Sequence, residues 1–450
     1  MANERILKEA PVWKLIISLS LPVILIMIVN VVYNMADVFF ISRTGDPNQI
    51  AGISLASPVF SAVSAFNTLI GFGGCTAVSI ALGRQEEKKV REYTCFVLYG
   101  SFLLSLILMA VLFAGMPVLL RLLGTDQATA PFCEAYLRII IPGAPFLLVS
   151  GALGNTMRAD GDVKSVMVWT MAGTLMNIAL DPLLISVLHM GVKGAAAATA
   201  AGNIASSAGL LILSMKKDYF SLNLKDFTLR PDVSLYILSL GLPMAAGTLL
   251  MSFSSAFGNN LAVKYGTQVI AARSIAGKIG MLSAMIIMGL CMGMQPAISY
   301  NHGADNRQRM MGIIRGTLTA ATVTAVATAS FIWLARDPFM RAFIDNEEII
   351  ALGKRFILGS VLSAPVYGLY QMCSTYLQAT GKVTAATFVS LLRQGIVLIP
   401  VLYLMENLFG LNGLIFTSFV TDLTASAIAV MLSVREEKPH LQKHAEAVEA

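Results

Sequence analysis

Apolar residues run through this chain in long blocks separated by short polar connectors. The blocks fall near 14–41, 51–82, 93–119, 132–157, 163–188 and 194–215, then near 233–263, 267–301, 310–335, 349–378, 383–405 and 411–433. Each exceeds the roughly 18 residues that a helix needs to cross a bilayer. The pattern predicts an all-α membrane protein with twelve transmembrane helices. The first block is also too long for the apolar core of a cleavable signal peptide, so it reads as the first span. A polar connector, MKKDYFSLNLKDFTLRPD from Met215 to Asp232, lies between the sixth and seventh blocks. The organisation expected is a six-helix lobe over 1–215, a cytoplasmic linker over 216–232, a second six-helix lobe over 233–434 and a charged, frayed cytoplasmic tail over 435–450.

The two sets of six are related. Asn155 to Lys164 reads NTMRADGDVK and Thr375 to Thr384 reads TYLQATGKVT. Gly161 and Gly381, Pro145 and Pro365, and Ala159 and Ala379 are each 220 apart. Leu21-Pro22 recurs as Leu242-Pro243 at 221, and Gly194 recurs as Gly413 at 219. A near-constant offset across several loops and helices indicates duplication. Six spans is an even number, so the two repeats are parallel. In transporters built this way substrate binds between the halves, and access alternates by rocking.

Composition agrees with the pattern. Of 450 residues, 56% are hydrophobic and 13% charged, where soluble domains carry about a quarter charged. The net charge of +6 sits mostly in short loops, so it concerns orientation and not nucleic acid. The N-terminus, the even-numbered connectors and the tail hold roughly 20 basic residues against roughly 6 to 9 opposite, which places both termini in the cytoplasm. The five cysteines are far apart and read as small core residues. No GxxxxGKS or GxxxxGKT motif is present, so ATP does not drive transport directly.

Polar residues inside the spans are functional candidates by default. Asn30, Tyr33, Asn34 and Asp37 fall at i, i+3, i+4 and i+7 in the first helix. Thr170, Thr174, Asn177 and Asp181 share one face of the fifth, and Thr199, Asn203 and Ser206 one face of the sixth. Three such stripes predict a polar cavity inside the first half. Asp37 lies roughly 35 Å and Asp181 roughly 25 Å from the cytoplasmic starts of their helices at 1.5 Å per residue. Pro182 follows Asp181 and withholds an N–H, which frees the carbonyl near Ile178. Carboxylate, amide, hydroxyl and carbonyl oxygens suit Na⁺, and two neighbouring carboxylates also suit a proton. The competing view makes Asp37 an outer-loop residue and Asp181 the cap of a kinked helix end. Asn30, Tyr33, Asn34, Asn155, Met171 and Asn203, with Lys278 of the second half, are candidates for lining the substrate cavity.

Several short motifs, in their order and spacing, resemble one family. They are LPV from Leu21, YNMADVFFISRTG from Tyr33, ALGR from Ala81, the MRADGD and LQATGK loops, NIALDP from Asn177 and MGMQPAISYNHGA from Met292. Over nearly its whole length the chain resembles the multidrug and toxic compound extrusion (MATE) transporters, most of all the prokaryotic DinF-type branch. The resemblance implies export of organic, often cationic compounds in exchange for H⁺ or Na⁺ across a prokaryotic cytoplasmic membrane. It also implies that Asp37, Asn177, Asp181 and Thr199 are the cation site, with no cofactor beyond the coupling ion. NorM-type relatives place acids in helices seven and ten, where this chain offers Asn259 and Gln371, so no cation site is expected in the second half.

Arg273, Lys278 and Arg393 give that second half the opposite sign. They read either as a patch for an anionic group or as buried structural and snorkelling cations. The methionines of helices seven and eight read as core filler or as an adaptable apolar surface. The functional expectation is a monomeric, cation-coupled antiporter of amphipathic organic compounds. The alternatives are a flippase for a lipid-linked or anionic substrate, and a membrane receptor or scaffold without flux.

Overall fold

The computed structural model describes residues 4–42 and 46–449, with side chains except those of 4, 34–38, 42, 252, 255, 256, 259 and 438–449. Among these residues the fold is all-α, and twelve helices are long and apolar enough to cross a membrane. They are numbered here in chain order: one (Val12–Ser42), two (Pro47–Gly83), three (Glu87–Ala114), four (Ala130–Thr156), five (Val163–Asp181), six (Val192–Ser214), seven (Pro231–Val263), eight (Thr267–Gly303), nine (Arg307–Leu334), ten (Glu347–Ala379), eleven (Val383–Leu391, resuming at Leu398–Phe409) and twelve (Leu411–Glu449).

Local chemistry sets many of the boundaries. Asp46, Asp162, Asn306 and Asn346 each accept a backbone N–H two or three residues on, capping helices two, five, nine and ten. Such caps satisfy donors that a helix start leaves open. The third span ends earlier than the apolar block, at Ala114, because Gly115 and Pro117 interrupt the ladder before a short helix, Met116–Leu122. Its counterpart 220 residues later, Arg336–Phe343, follows helix nine in the same way. The tail expected to fray instead continues helix twelve to Glu449. Arg307–Glu437 at 2.7 Å and Lys382–Glu436 at 3.3 Å tie down the turn of that helix around Glu436.

The chain divides into two compact units. One comprises Leu25–Ala245 and Ser299–Asp305 with the segment ending at Ala10; the other comprises Pro11–Ile24, Ala246–Ile298 and the residues from Asn306 onward. Helices one, seven and eight therefore each contribute to both units. Each changes unit two residues after a proline, Pro22, Pro243 or Pro296. A proline inside a helix removes one hydrogen bond and permits a bend there.

Within the first unit helix four packs on helices two, three and six, and helix five on six; within the second, helix ten packs on nine and twelve, and eleven on twelve. The halves thus repeat in packing as they do in sequence. Helices also approach closely where side chains are absent. A Cβ at Gly73 would meet the Ile237 carbonyl, and one at Gly241 the Leu69 carbonyl, both within the first unit. Within the second, Gly293, 220 beyond Gly73, lies against Ser20 and the Leu19 carbonyl. Small residues at crossings are how helices associate where lipid offers no hydrophobic drive. Apolar side chains point outward instead: Leu103, Ile107 and Val111 form an exposed stripe on helix three, opposite buried Val97, Ser101 and Ser105.

At the end of helix four the loop Met157–Asp160 turns through Gly161, whose φ of 88° is left-handed and suits glycine. Lys217 anchors this loop to the linker, bridging Asp160 at 2.6 Å and Asp162 at 2.8 Å.

Candidate cation site

The buried residues of helix five lie on one stripe, Val163, Val166, Gly173, Asn177 and Asp181, continued by Ile185. Glycine makes the polar part of this stripe reachable. A Cβ at Gly173 would meet Ser206 Oγ and the Gly202 carbonyl; one at Gly202 would meet the Gly173 carbonyl and Asn177 Cβ. The two glycines let helices five and six touch along their backbones. One turn along, on the same side of that crossing, the short side chains of Asn177 and Thr199 come within reach of each other.

Asn177 Nδ2 donates to Thr199 Oγ1 at 3.3 Å. The Tyr33 hydroxyl of helix one lies 3.3 Å from the same oxygen, in a hydrogen bond of either direction. Asn177, Asp181 and Thr199 are 3%, 0% and 5% exposed. Asn177 Oδ1 is buried and has no hydrogen-bond partner among the described residues. An unmatched buried oxygen costs about 1–3 kcal/mol, a cost that a bound cation would remove. A carboxylate as buried as Asp181 is stable only when protonated or compensated by positive charge. The donor set is all oxygen, which fits a hard cation or a proton and not a soft transition metal. Beyond Asp181 the helix leaves α geometry altogether: Pro182–Val187 is a π segment, longer than the single freed carbonyl expected from the proline. Segments of this kind recur at functional sites.

The other nominated residues are placed as follows. Asp37 is four residues beyond Tyr33 in helix one, and its side chain, with those of Asn34 and Asn259, lies outside the described residues. Thr170 and Thr174 are half-buried, and the Thr174 hydroxyl donates to the Thr170 carbonyl at 3.1 Å. Asn203 and Met171 are half-buried, and Asn30 is exposed. Asn155 is committed to the C-terminal end of its helix, donating to the Gly151 carbonyl at 2.9 Å and accepting from Arg158. Lys278 is exposed on helix eight and belongs to the other unit.

Among the described residues the second half also holds two buried carboxylates, Glu406 and Asp422, that the polar stripes did not include. Glu406 accepts from the Tyr265 hydroxyl at 3.0 Å and pairs with Lys264 at 3.4 Å. Asp422 of helix twelve accepts Arg393 Nε at 2.6 Å and also the Ser363 hydroxyl. The repeat offset was the available signal, since Asp422 lies 219 beyond Asn203, as Gly413 lies 219 beyond Gly194. Arg393 is therefore a paired cation, as the structural alternative anticipated.

The MatE family model matches this chain twice, over residues 22–183 and 243–404. The two matches start 221 residues apart and together take in more than half of the chain. The chain belongs to the MatE family. It is a multi-pass membrane transporter and not an enzyme. Among the relatives of this MatE protein are the multidrug export protein MepA of Staphylococcus aureus, 30% identical over 95% of this chain and 94% of that protein, and MepA of Staphylococcus saprophyticus, 29% identical over the same shares. Its fold matches a structure described as the outward-facing conformation of a multidrug resistance MATE family transporter, with a TM-score of 0.93 at 22% identity over 98% of this chain and 99% of that one. A MATE in a bent conformation matches with a TM-score of 0.89 at 23% identity, over 99% of both chains.

Proposed function

We propose that this MatE transporter is a monomeric, cation-coupled antiporter that exports amphipathic, cationic organic compounds by alternating access, with both termini in the cytoplasm. The observation that carries the reading is the buried hydrogen bond from Asn177 to Thr199 between helices five and six, with Tyr33 of helix one on the same oxygen and Asp181 fully buried one turn beyond Asn177. Asp37, one turn beyond Tyr33, completes the proposed coupling set. The multidrug export relatives support the substrate class.

In this reading H⁺ or Na⁺ enters from outside and neutralises the carboxylates. Asn177 Oδ1 gains a partner, and the cluster closes around the ion. A loaded cluster costs less to bury than an ionised one, so loading favours the state that has released substrate outward. Return of the ion to the cytoplasm restores the charge and readies the protein for the next substrate. Each half acts as one lobe of the rocking pair.

The test is transport in proteoliposomes whose pH and Na⁺ gradients are set independently, with cationic and anionic dyes as substrates. Cationic dye efflux driven by one of the two gradients is expected, and Asp181→Asn is expected to abolish the gradient dependence while remaining monodisperse. Wild-type gradient-driven efflux in that variant would remove the assignment.

A further inference from the structure

The second half contains an arrangement with the chemistry of an organic-cation receptor. A buried carboxylate, Asp422, faces two aromatic rings, Tyr367 and Tyr370, whose planes lie 22° apart with centroids 6.2 Å from each other. Both rings are fixed independently of any occupant. The Tyr367 hydroxyl donates to Gln371 at 3.3 Å and the Tyr370 hydroxyl to the Val389 carbonyl at 3.2 Å. The Ser363 hydroxyl fixes Asp422 in turn. A carboxylate beside aromatic faces is the combination that recognises guanidinium, amidinium and quaternary ammonium groups.

That place is filled by the chain itself. The Arg393 guanidinium lies 4.4 Å over Tyr367 and 5.5 Å over Tyr370, with Nε donating to Asp422 at 2.6 Å. The carboxylate is enclosed, its side chain 4% exposed, while the arginine side chain is 24% exposed. Among the described residues only Nε of the guanidinium makes a hydrogen bond. Arg393 sits in a second π segment, Leu392–Ile396, so it is carried by a turn already outside α register.

The repeat gives this arrangement its meaning. Gly173 lies 220 before Arg393 and Asn203 lies 219 before Asp422. The first half thus has a glycine crossing beside its oxygen cluster, and the second half has a cation and a carboxylate at the corresponding crossing. We infer that Asp422, Tyr367 and Tyr370 form a subsite for planar organic cations, and that Arg393 is a tethered occupant which such a substrate displaces. This rests on the reading of the chain as an exporter of organic cations. The tether keeps Asp422 compensated whenever substrate is absent, so the second half needs no coupling ion of its own. It also lowers apparent substrate affinity in proportion to the fraction of molecules with the subsite vacated.

The experiment measures ethidium binding by fluorescence anisotropy on the full-length protein in detergent, without any gradient. Arg393→Gln is expected to bind ethidium about tenfold more tightly than wild type, because the internal competitor is gone. Arg393→Lys, which keeps the charge but loses planar stacking, is expected to show a smaller gain, and it preserves the test if the glutamine variant fails to fold. Asp422→Asn added to Arg393→Gln restores charge balance and is expected to erase the gain. Methylguanidinium is expected to compete with ethidium in Arg393→Gln and not in the double variant. Equal or weaker ethidium binding in both arginine variants overturns the inference, as does a gain that survives Asp422→Asn. Overturning it in a protein that still exports ethidium from vesicles leaves the exporter reading standing, whereas a wild type that exports no organic cation removes both.

Discussion

Asn177 joins two of the helices that hold the proposed cation, with Nδ2 on Thr199 and Oδ1 left for the ion. Replacing it with alanine removes one oxygen ligand and one hydrogen bond. Apparent affinity for the coupling ion is expected to fall about tenfold, from about 1–1.5 kcal/mol lost, with maximal efflux at saturating ion little changed. Ion titration of dye efflux in proteoliposomes reads this directly. Asp181→Asn differs in kind, since it removes the charge proposed to couple, and no ion concentration should restore it. At this scale the sequence was informative about faces and uninformative about partners. Periodicity put Asn177 and Asp181 on one face of helix five and Thr199 on one face of helix six, and the structure brings Asn177 and Thr199 together. The same periodicity included Thr174, whose hydroxyl turns back to the Thr170 carbonyl. It also missed Asp422 and its pairing with Arg393. A helical period fixes which residues share a face, while the rotation of one helix against the next decides what that face meets.

Helix contacts in this protein depend on absent side chains as much as on present ones. Gly173 and Gly202 carry the crossing beside the proposed cation site. Gly173→Val is expected to destabilise by about 1–3 kcal/mol through overpacking, lowering the melting temperature in detergent, and to weaken ion dependence by separating Asn177 from Thr199. A second element-level device is the Lys217 bridge to the loop before helix five. Burial works to raise Asp162 toward the neutral form, but the hydrogen bonds from Lys217 and Ser165 outweigh it and hold its pKa below the ordinary 3.8. Lys217, despite its burial, is held above its ordinary 10.5 by Asp160 and Asp162. The depressed carboxylate stabilises the fold above its ordinary value and loses this as pH falls through its folded value; the raised ammonium does so below 10.5 and loses it above. Lys217→Met is expected to cost about 3 kcal/mol at neutral pH by stranding two carboxylates. Its melting temperature should then rise as the pH is lowered into the carboxylate range, more steeply than that of wild type. Neither device was readable from the linear pattern. The glycines and charges were visible, but not which of them would come to lie opposite each other.

Over the whole molecule, duplication was legible early, because offsets of 219 to 221 recur in loops and helices alike. The division of helices one, seven and eight between units was not, since a repeat shows which segments correspond and not which ones pack together. Pro22, Pro243 and Pro296 stand at those divisions. Pro243→Ala is expected to slow turnover several-fold while leaving ethidium affinity unchanged, which efflux rates and equilibrium binding separate. Charge balance adds a constraint on coupling. One monovalent ion entering for one monovalent organic cation leaving moves no net charge, so the membrane potential contributes nothing. Two ions entering move one net charge, about 2.3 kcal/mol per 100 mV, or about fiftyfold in accumulated substrate. The proposed coupling set has two carboxylates, Asp37 and Asp181, and so the charge to take a second ion. The central claim is that the cluster on helices one, five and six couples ion entry to substrate exit. The most direct measurement records ion influx and ethidium efflux together in the same proteoliposomes, for wild type and Asp181→Asn. The account predicts a fixed ion-to-substrate ratio in wild type and loss of the coupled ion influx in the variant. An unchanged ratio in Asp181→Asn would contradict it.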